Sequence, residues 1–222
     1  GTNSCRVGQA RSGLGGALVS VAVTDPALDA RGREALFGEA EALLPEGYAR
    51  LQGLSDGLQF LRDAVERLQR LYEAWNQLEK LARWRREERV LDAMRLASSA
   101  TQLLDENKPE QAEAPARESL AIREKHVPDD WRTFNARSLL GGSLLGQEKY
   151  AEAEPLLRDG YEGLKRRQAQ IPPGAALRIR EALERLVRLY EATGREDQAV
   201  EWKGRLAEFH RTVASKTPGQ AK

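Results

Sequence analysis

Apolar residues return every three or four positions through most of the chain. Leu61, Ala64, Val65, Leu68, Leu71 and Tyr72 fall on one side of a helical period, and Ile179, Ala182, Leu183, Leu186, Leu189 and Tyr190 do the same. Charged residues fill the positions between them, so both stretches read as amphipathic helices. Asn76, Gly146 and Gly194 follow such runs and mark helix ends, where a left-handed or unhindered residue suits the turn. No stretch alternates with a period of two between hairpin turns, so strands are not expected. The fold class expected is all-α.

The chain also contains a copy of itself. Ala10-Arg11-Ser12-Gly13-Leu14-Gly15-Gly16-Ala17-Leu18 returns as Ala136-Arg137-Ser138-Leu139-Leu140-Gly141-Gly142-Ser143-Leu144. Ala40-Glu41-Ala42-Leu43-Leu44 and Gly47-Tyr48 return as Ala153-Glu154-Pro155-Leu156-Leu157 and Gly160-Tyr161. Arg62–Ala74 returns as Arg180–Ala192, and Trp84 and Trp202 keep that last offset. The offset changes only between matches. The extra residues lie around 21–33, with Asp25-Pro26, and around 168–175, with Ile171-Pro172-Pro173-Gly174. Proline is poorly tolerated inside helices, so both insertions map to connections between them. A duplicated string of helices with length-tolerant connections is the mark of a repeat array, in which each unit stacks on its neighbours.

Gly146-Gln147-Glu148-Lys149-Tyr150-Ala151-Glu152-Ala153-Glu154-Pro155-Leu156-Leu157 resembles the turn and second helix of a tetratricopeptide repeat of the kinesin-light-chain-like subtype. Leu14-Gly15 and Leu140-Gly141 match the Leu-Gly pair of the first (A) helix, and Tyr72 and Tyr190 its tyrosine. The residue at the A-to-B helix crossing then falls at Ala40, Leu81, Ala112, Ala153 and Ala199. The resemblance implies a right-handed superhelical solenoid of about five antiparallel pairs, over residues 9–52, 59–90, 91–126, 131–168 and 176–212. Residues 1–8 are then a frayed lead-in and 213–222 a flexible tail. Gly15, Gly16, Gly47, Gly141, Gly142 and Gly160 are read as close helix contacts. Trp131-Arg132-Thr133-Phe134-Asn135 with Leu139–Leu157 also resembles the C-terminal repeat region of bacterial serine/threonine protein kinases, although no kinase motif is present here.

That family binds peptides on the concave face, which its A helices build. Carried over residue by residue, the groove takes in Asp63, Glu66, Arg70, Glu73, Thr101, Asn135, Ser138, Glu181, Glu184, Arg188 and Glu191. Met94, Ala97 and Gly142 lie on the same face, as do Gln9, Ser12 and Gly16 at the start of the chain. The sets in pairs two and five are each net acidic, which points to a basic or mixed-charge peptide or helix as partner. Glu66 with Arg70 and Glu184 with Arg188 are expected to pair along their helices.

Composition removes other classes. Among 222 residues, 35 basic against 34 acidic leave +1, so no bulk charge draws the chain to nucleic acid. One Cys and two His exclude a disulfide framework and argue against a structural zinc site. Gly13-Leu14-Gly15-Gly16 lacks the strand and the Lys-Ser/Thr of a phosphate loop. The most apolar run, Ala17–Val23, falls short of the roughly 20 residues that span a bilayer. Neither metal, cofactor nor catalytic residues are expected. The reading is a cytoplasmic interaction scaffold rather than an enzyme, with self-association as the alternative. A chain without an initiator Met is expected to be a fragment or processed form.

Overall fold

The computed structural model describes residues 2–52 and 57–216. Among them are nine α-helices and no strand: α1 (Thr2–Thr24), α2 (Ala30–Leu51), α3 (Leu58–Ala74), α4 (Leu78–Asp105), α5 (Pro109–His126), α6 (Trp131–Gly146), α7 (Tyr150–Arg166), α8 (Leu177–Ala192) and α9 (Glu196–Lys216). Two short 3₁₀ turns, Gln168–Gln170 and Pro173–Ala175, fill the second proline-bearing insertion. The fold class is all-α, as the periodicity indicates. The chain divides into two compact units, Gly1–Asp92 and Ala93–Lys222.

Each helix has a local reason to start or stop. Asp29 caps α2, its carboxylate accepting from Gly32 N at 2.7 Å, and Asp130 caps α6 through Arg132 N at 2.7 Å. Four A-to-B turns share one C-terminal device. Asn76, Asn107, Glu148 and Gly194 take positive φ (54°, 56°, 60° and 67°), and the next N–H reaches back to the last helical turn. Those bonds are Gln77 N to Tyr72 O, Lys108 N to Leu103 O, Lys149 N to Leu144 O and Arg195 N to Tyr190 O. This is the Schellman arrangement, which satisfies carbonyls the helix leaves open. The left-handed residue after α6 is Glu148, not Gly146. Gly146 is small for another reason: a Cβ there would sit 2.5 Å from Pro109 Cβ.

Consecutive helices pack as antiparallel hairpins. In the first unit Ser12 meets Gly47 while Gly15 meets Leu44; in the second Ser138 meets Gly160 while Gly141 meets Leu157. The contact is between backbones. A Cβ on Gly47 would lie 2.9 Å from Ser12 N and 3.0 Å from Gly8 O, and one on Gly160 2.9 Å from Ser138 N and 3.0 Å from Phe134 O. Around these crossings the apolar faces close: Leu44, Leu51, Leu68 and Leu71 are buried in the first unit, and Leu139, Leu157, Leu164, Leu183 and Leu186 in the second. The crossing residues Ala40, Leu81, Ala112, Ala153 and Ala199 are all buried.

The duplication extends to the ring contacts. Tyr48 meets Trp84 edge-on at 5.0 Å, and Tyr161 meets Trp202 edge-on at 5.1 Å. Tyr72 Oη donates to Glu41 at 3.1 Å, and Tyr190 Oη to Glu154 at 3.0 Å. Both tryptophans thus serve packing, and Trp131 is buried as well.

Three boundaries differ from the sequence-based expectation. The limit between the second and third pairs, at residues 90 and 91, falls inside the single helix α4. No Gly or Pro interrupts Leu78–Asp105, so nothing in the chain ends the helix there. At the N-terminus, α1 begins at Thr2, so the segment expected to be frayed is helical apart from Gly1, which lies outside the described residues. Of the expected tail, 213–216 belong to α9 and 217–222 lie outside the described residues.

The glycines separate packing from propensity. Gly160→Ala is expected to destabilise the protein by about 1–3 kcal/mol, because backbone must move to admit the methyl. Gly204→Ala, inside α9 with no atom within 4 Å of the new Cβ, is expected to stabilise it by about 0.5–1 kcal/mol through helix propensity. Urea denaturation of both variants checks the signs.

Candidate functional site

The A-helix face of the second unit holds a cavity of about 380 Å³ between the end of α4, α6 and α8. Its base is an arginine lying in a glycine notch. A Cβ on Gly142 would meet Arg185 Cδ and Nε at 2.9 Å, so the missing methyl is the space the guanidinium stem occupies. Arg185 Nη1 donates to Ser138 Oγ at 3.0 Å, and Arg185 Nη2 lies 3.6 Å from Glu181 Oε2. Burial pulls the Arg185 guanidinium below its ordinary value, while the Glu181 carboxylate opposes the shift. Arg178 binds the same carboxylate with Nη1, 3.0 Å from Oε2. An ordered Arg-Glu-Arg row therefore runs along α8.

The first unit repeats this base. A Cβ on Gly16 would lie 2.7 Å from Arg67 Cδ, and Arg67 Nη1 donates to Ser12 Oγ at 2.9 Å. In each unit a serine of one A helix is bonded to an arginine of the next. The clip needs both a Gly, for room, and a Ser, for an acceptor.

The walls and rim of the second-unit cavity are mixed. Leu104, Pro109, Leu145 and Tyr150 give apolar surface, and Asp105, Glu148, Glu184 and Arg188 bring charge. Four carboxylates, with Glu181, face two guanidiniums. Glu184 pairs with Arg180 at 3.5 Å rather than with the expected Arg188. The turn carrying Glu148 is held from α5: Glu113 accepts from Gln147 Nε2 at 2.9 Å and from Lys149 Nζ at 3.3 Å. Hydrogen bonds from Arg117 and then Gln147 hold the Glu113 carboxyl down at about 2, against the opposing effect of burial.

The groove residues expected from sequence do not all meet. Glu181, Glu184 and Arg188 line one cavity. Ser138 is fully buried and engaged with Arg185, so it supports the base and presents no free hydroxyl. Asn135, one turn earlier on the same face of α6, is buried, and its Oδ1 has no hydrogen-bond partner. Thr101 Oγ1 donates to its own helix at Ala97 O. Glu191 turns to α9 and pairs with Lys203 at 2.6 Å. In the first unit Asp63 and Glu66 border a smaller hollow of about 140 Å³ between α3 and α4. There Glu66 binds Arg70 at 2.5 Å, as expected, and Glu73 lies 3.5 Å from Arg85 on α4.

Asp105, Asn107, Glu148 and Arg185 line the cavity and were not among the residues expected from sequence. Arg185 carried a signal, since it and Ser138 are the duplicates of Arg67 and Ser12. The turn residues carried none, because only packing brings the turn after α4 beside the turn after α6. Elsewhere in this unit, Arg123 is almost fully buried with Nε and Nη1 unbonded, and burial pulls its guanidinium down to about 10. Among the described residues no group of His, Cys, Asp and Glu is arranged to hold a metal ion, and no helix is long and apolar enough to cross a membrane.

No family model matches the chain, and no curated protein matches it. Among solved structures, the crystal structure of BtubC (BKLC) from P. vanneervenii is similar, with a TM-score of 0.48 and 18% sequence identity. The likeness covers 98% of this chain and 94% of that one. It assigns neither family nor function.

The turn at the cavity gives a pH signature. Glu113 titrates well below its unfolded value of about 4.3, so its bonds stabilise the fold fully above that pH. The contribution is lost as pH falls from about 4 towards 2. Glu113→Gln is expected to be less stable than the parent at neutral pH and to lose less between about pH 5 and 2. Thermal melts at a series of pH values test this, and parallel curves would contradict it.

Proposed function

We propose that the chain is a non-catalytic protein-interaction module that binds a peptide or helix of basic or mixed charge across its A-helix face. The supporting observation is the second-unit cavity. Asp105, Glu148 and Arg188 line it without a side-chain hydrogen bond or ion pair among the described residues, while its base is fixed by the Arg185 clip. Charged side chains held by no hydrogen bond or ion pair of their own, set around apolar surface on a fixed base, suit a ligand bringing opposite charge and an aliphatic stem. Asn135 adds a buried acceptor on the same helix face. The tetratricopeptide-like motifs favour the same class. The resemblance of Trp131–Asn135 and Leu139–Leu157 to kinase repeat tails makes the finer reading a docking or regulatory region of a bacterial serine/threonine kinase, acting in the cytoplasm.

Labelled peptide libraries of basic, mixed and acidic composition, titrated at moderate salt, test the proposal. Basic or mixed peptides should bind best, and Asp105→Lys with Glu184→Lys should weaken them about tenfold or more. Preference for acidic peptides would overturn the charge assignment. Affinity capture with the parent and with an Asn135→Ala/Arg188→Glu variant locates the face: identical captured partners would remove these residues from the site.

A further inference from the structure

Another cavity, of about 420 Å³, opens in the first unit between α2, α3 and α4. Tyr48, Tyr72 and Trp84 give it aromatic walls, and Glu41, Glu87, Lys80 and Arg83 bring two charges of each sign. Three of these four are engaged. Glu41 accepts from Tyr72 Oη at 3.1 Å and pairs with Lys80 at 2.5 Å, and Glu87 accepts from Tyr48 Oη. Burial, then Glu41, push the Tyr72 phenol up to about 12, and burial, then Glu87, raise that of Tyr48. Both hydroxyls therefore stay protonated and keep donating at neutral pH. Arg83 lies over the Trp84 ring, 5.4 Å from its centre, and makes no hydrogen bond or ion pair among the described residues.

The internal copy shows the same corner completed. Arg205 of α9 lies 4.2 Å from the centre of the Trp202 ring, pairs with Glu201 at 2.6 Å and reaches Glu162 of α7 at 3.5 Å. The indole there carries a guanidinium held between two carboxylates. In the first unit the charges are exchanged along α4, with Arg83 at the place of Glu201 and Glu87 at the place of Arg205. Glu87 is turned to Tyr48 instead of to Arg83. The carboxylate of the B helix is missing altogether: Ala49 stands where the copy has Glu162, and Pro45 where it has Arg158. Pro45 and Ala49 both line the cavity, which is the room that two longer side chains would fill.

We propose that this cavity binds a glutamate side chain of a partner protein, its carboxylate pairing with Arg83 and its methylenes lying against Trp84 and Pro45. The occupant follows from the copy, where Glu162 supplies that carboxylate from within the chain. Arg83 and Ala49 are both exposed, so a group from outside can reach them. A cationic occupant fits less well, because both lining carboxylates already accept hydrogen bonds and two cations would oppose it. An ion pair set against an indole, partly out of water, is stronger than one on an open surface. The site lies in the first unit and depends on none of the residues of the A-helix cavity, so either can fail without the other.

Proton–nitrogen correlation spectra of the full chain, titrated at low salt with a blocked Leu-Glu-Leu peptide, test this. The Arg83 Nε–H and Trp84 Nε1–H peaks should shift with a dissociation constant of about 1 mM. A blocked Leu-Gln-Leu peptide should bind about tenfold more weakly. Arg83→Gln and Ala49→Glu, both at exposed positions, should each weaken the glutamate peptide about tenfold or more with the melting temperature nearly unchanged. Ala49→Glu does so by restoring to the chain the carboxylate that the copy has. Equal binding of the glutamine peptide, or binding that survives either substitution, would overturn the inference. So would shifts at Arg188 in place of Arg83, which would put the peptide on the A-helix face, or no shift at Trp84. A glutamine peptide with a free C-terminus that binds as tightly would likewise replace the glutamate with a chain terminus.

Discussion

Two helix backbones in contact set most of what the second helix of each hairpin can do. Gly47 and Gly160 let the B helix approach until its backbone rests on Ser12 and Ser138. At that distance no B-helix side chain competes for the serine hydroxyl, and an arginine of the next A helix takes it. The same step places Gly16 and Gly142 beneath the arginine stem. A hairpin crossing therefore fixes its neighbour through three residue types, Gly, Ser and Arg, and each compact unit has that arrangement among its described residues.

The two copies agree inside and part company outside. Tyrosine–tryptophan pairs and tyrosine–glutamate bonds recur with nearly the same geometry. Around Trp84, however, Arg83 lies over the ring and Glu87 accepts from Tyr48, whereas Trp202 is covered by Arg205 and Glu201 stands where Arg83 does. The order of charge is reversed. Interior positions are tied to one another by close contact, while a surface charge can change sign at little cost because exposed pairs contribute about 0–1 kcal/mol. Specificity can therefore diverge between copies while the packing stays in step.

Much of this was legible in the sequence, and the limits are instructive. Helices, their caps at Asn76 and Gly194, and the duplicated Ser, Gly and Arg positions rest on local chemistry, which a sequence displays. The unbroken α4 was hidden by the repeat template, which asks for a boundary that no residue of Leu78–Asp105 supplies. The partner of Glu184 was open between Arg180 and Arg188, both in helical reach, and only rotamers decide it. Asp105 and Glu148 reach the cavity from two different turns, and a pattern read along the chain cannot bring those turns together. Ser138 was placed on the right face, but its burial under Arg185 depends on a residue far along the chain.

A double-mutant cycle between Ser138 and Arg185 tests the clip most directly. Ser138→Ala, Arg185→Met and the double variant, compared by chemical denaturation, should give a coupling of about 1–3 kcal/mol, the range for a hydrogen bond to a charged group. The Ser12 and Arg67 cycle should show coupling of the same sign. Additive single losses in both cycles would mean that glycine packing alone sets the neighbouring helix, and that the arginine only fills space.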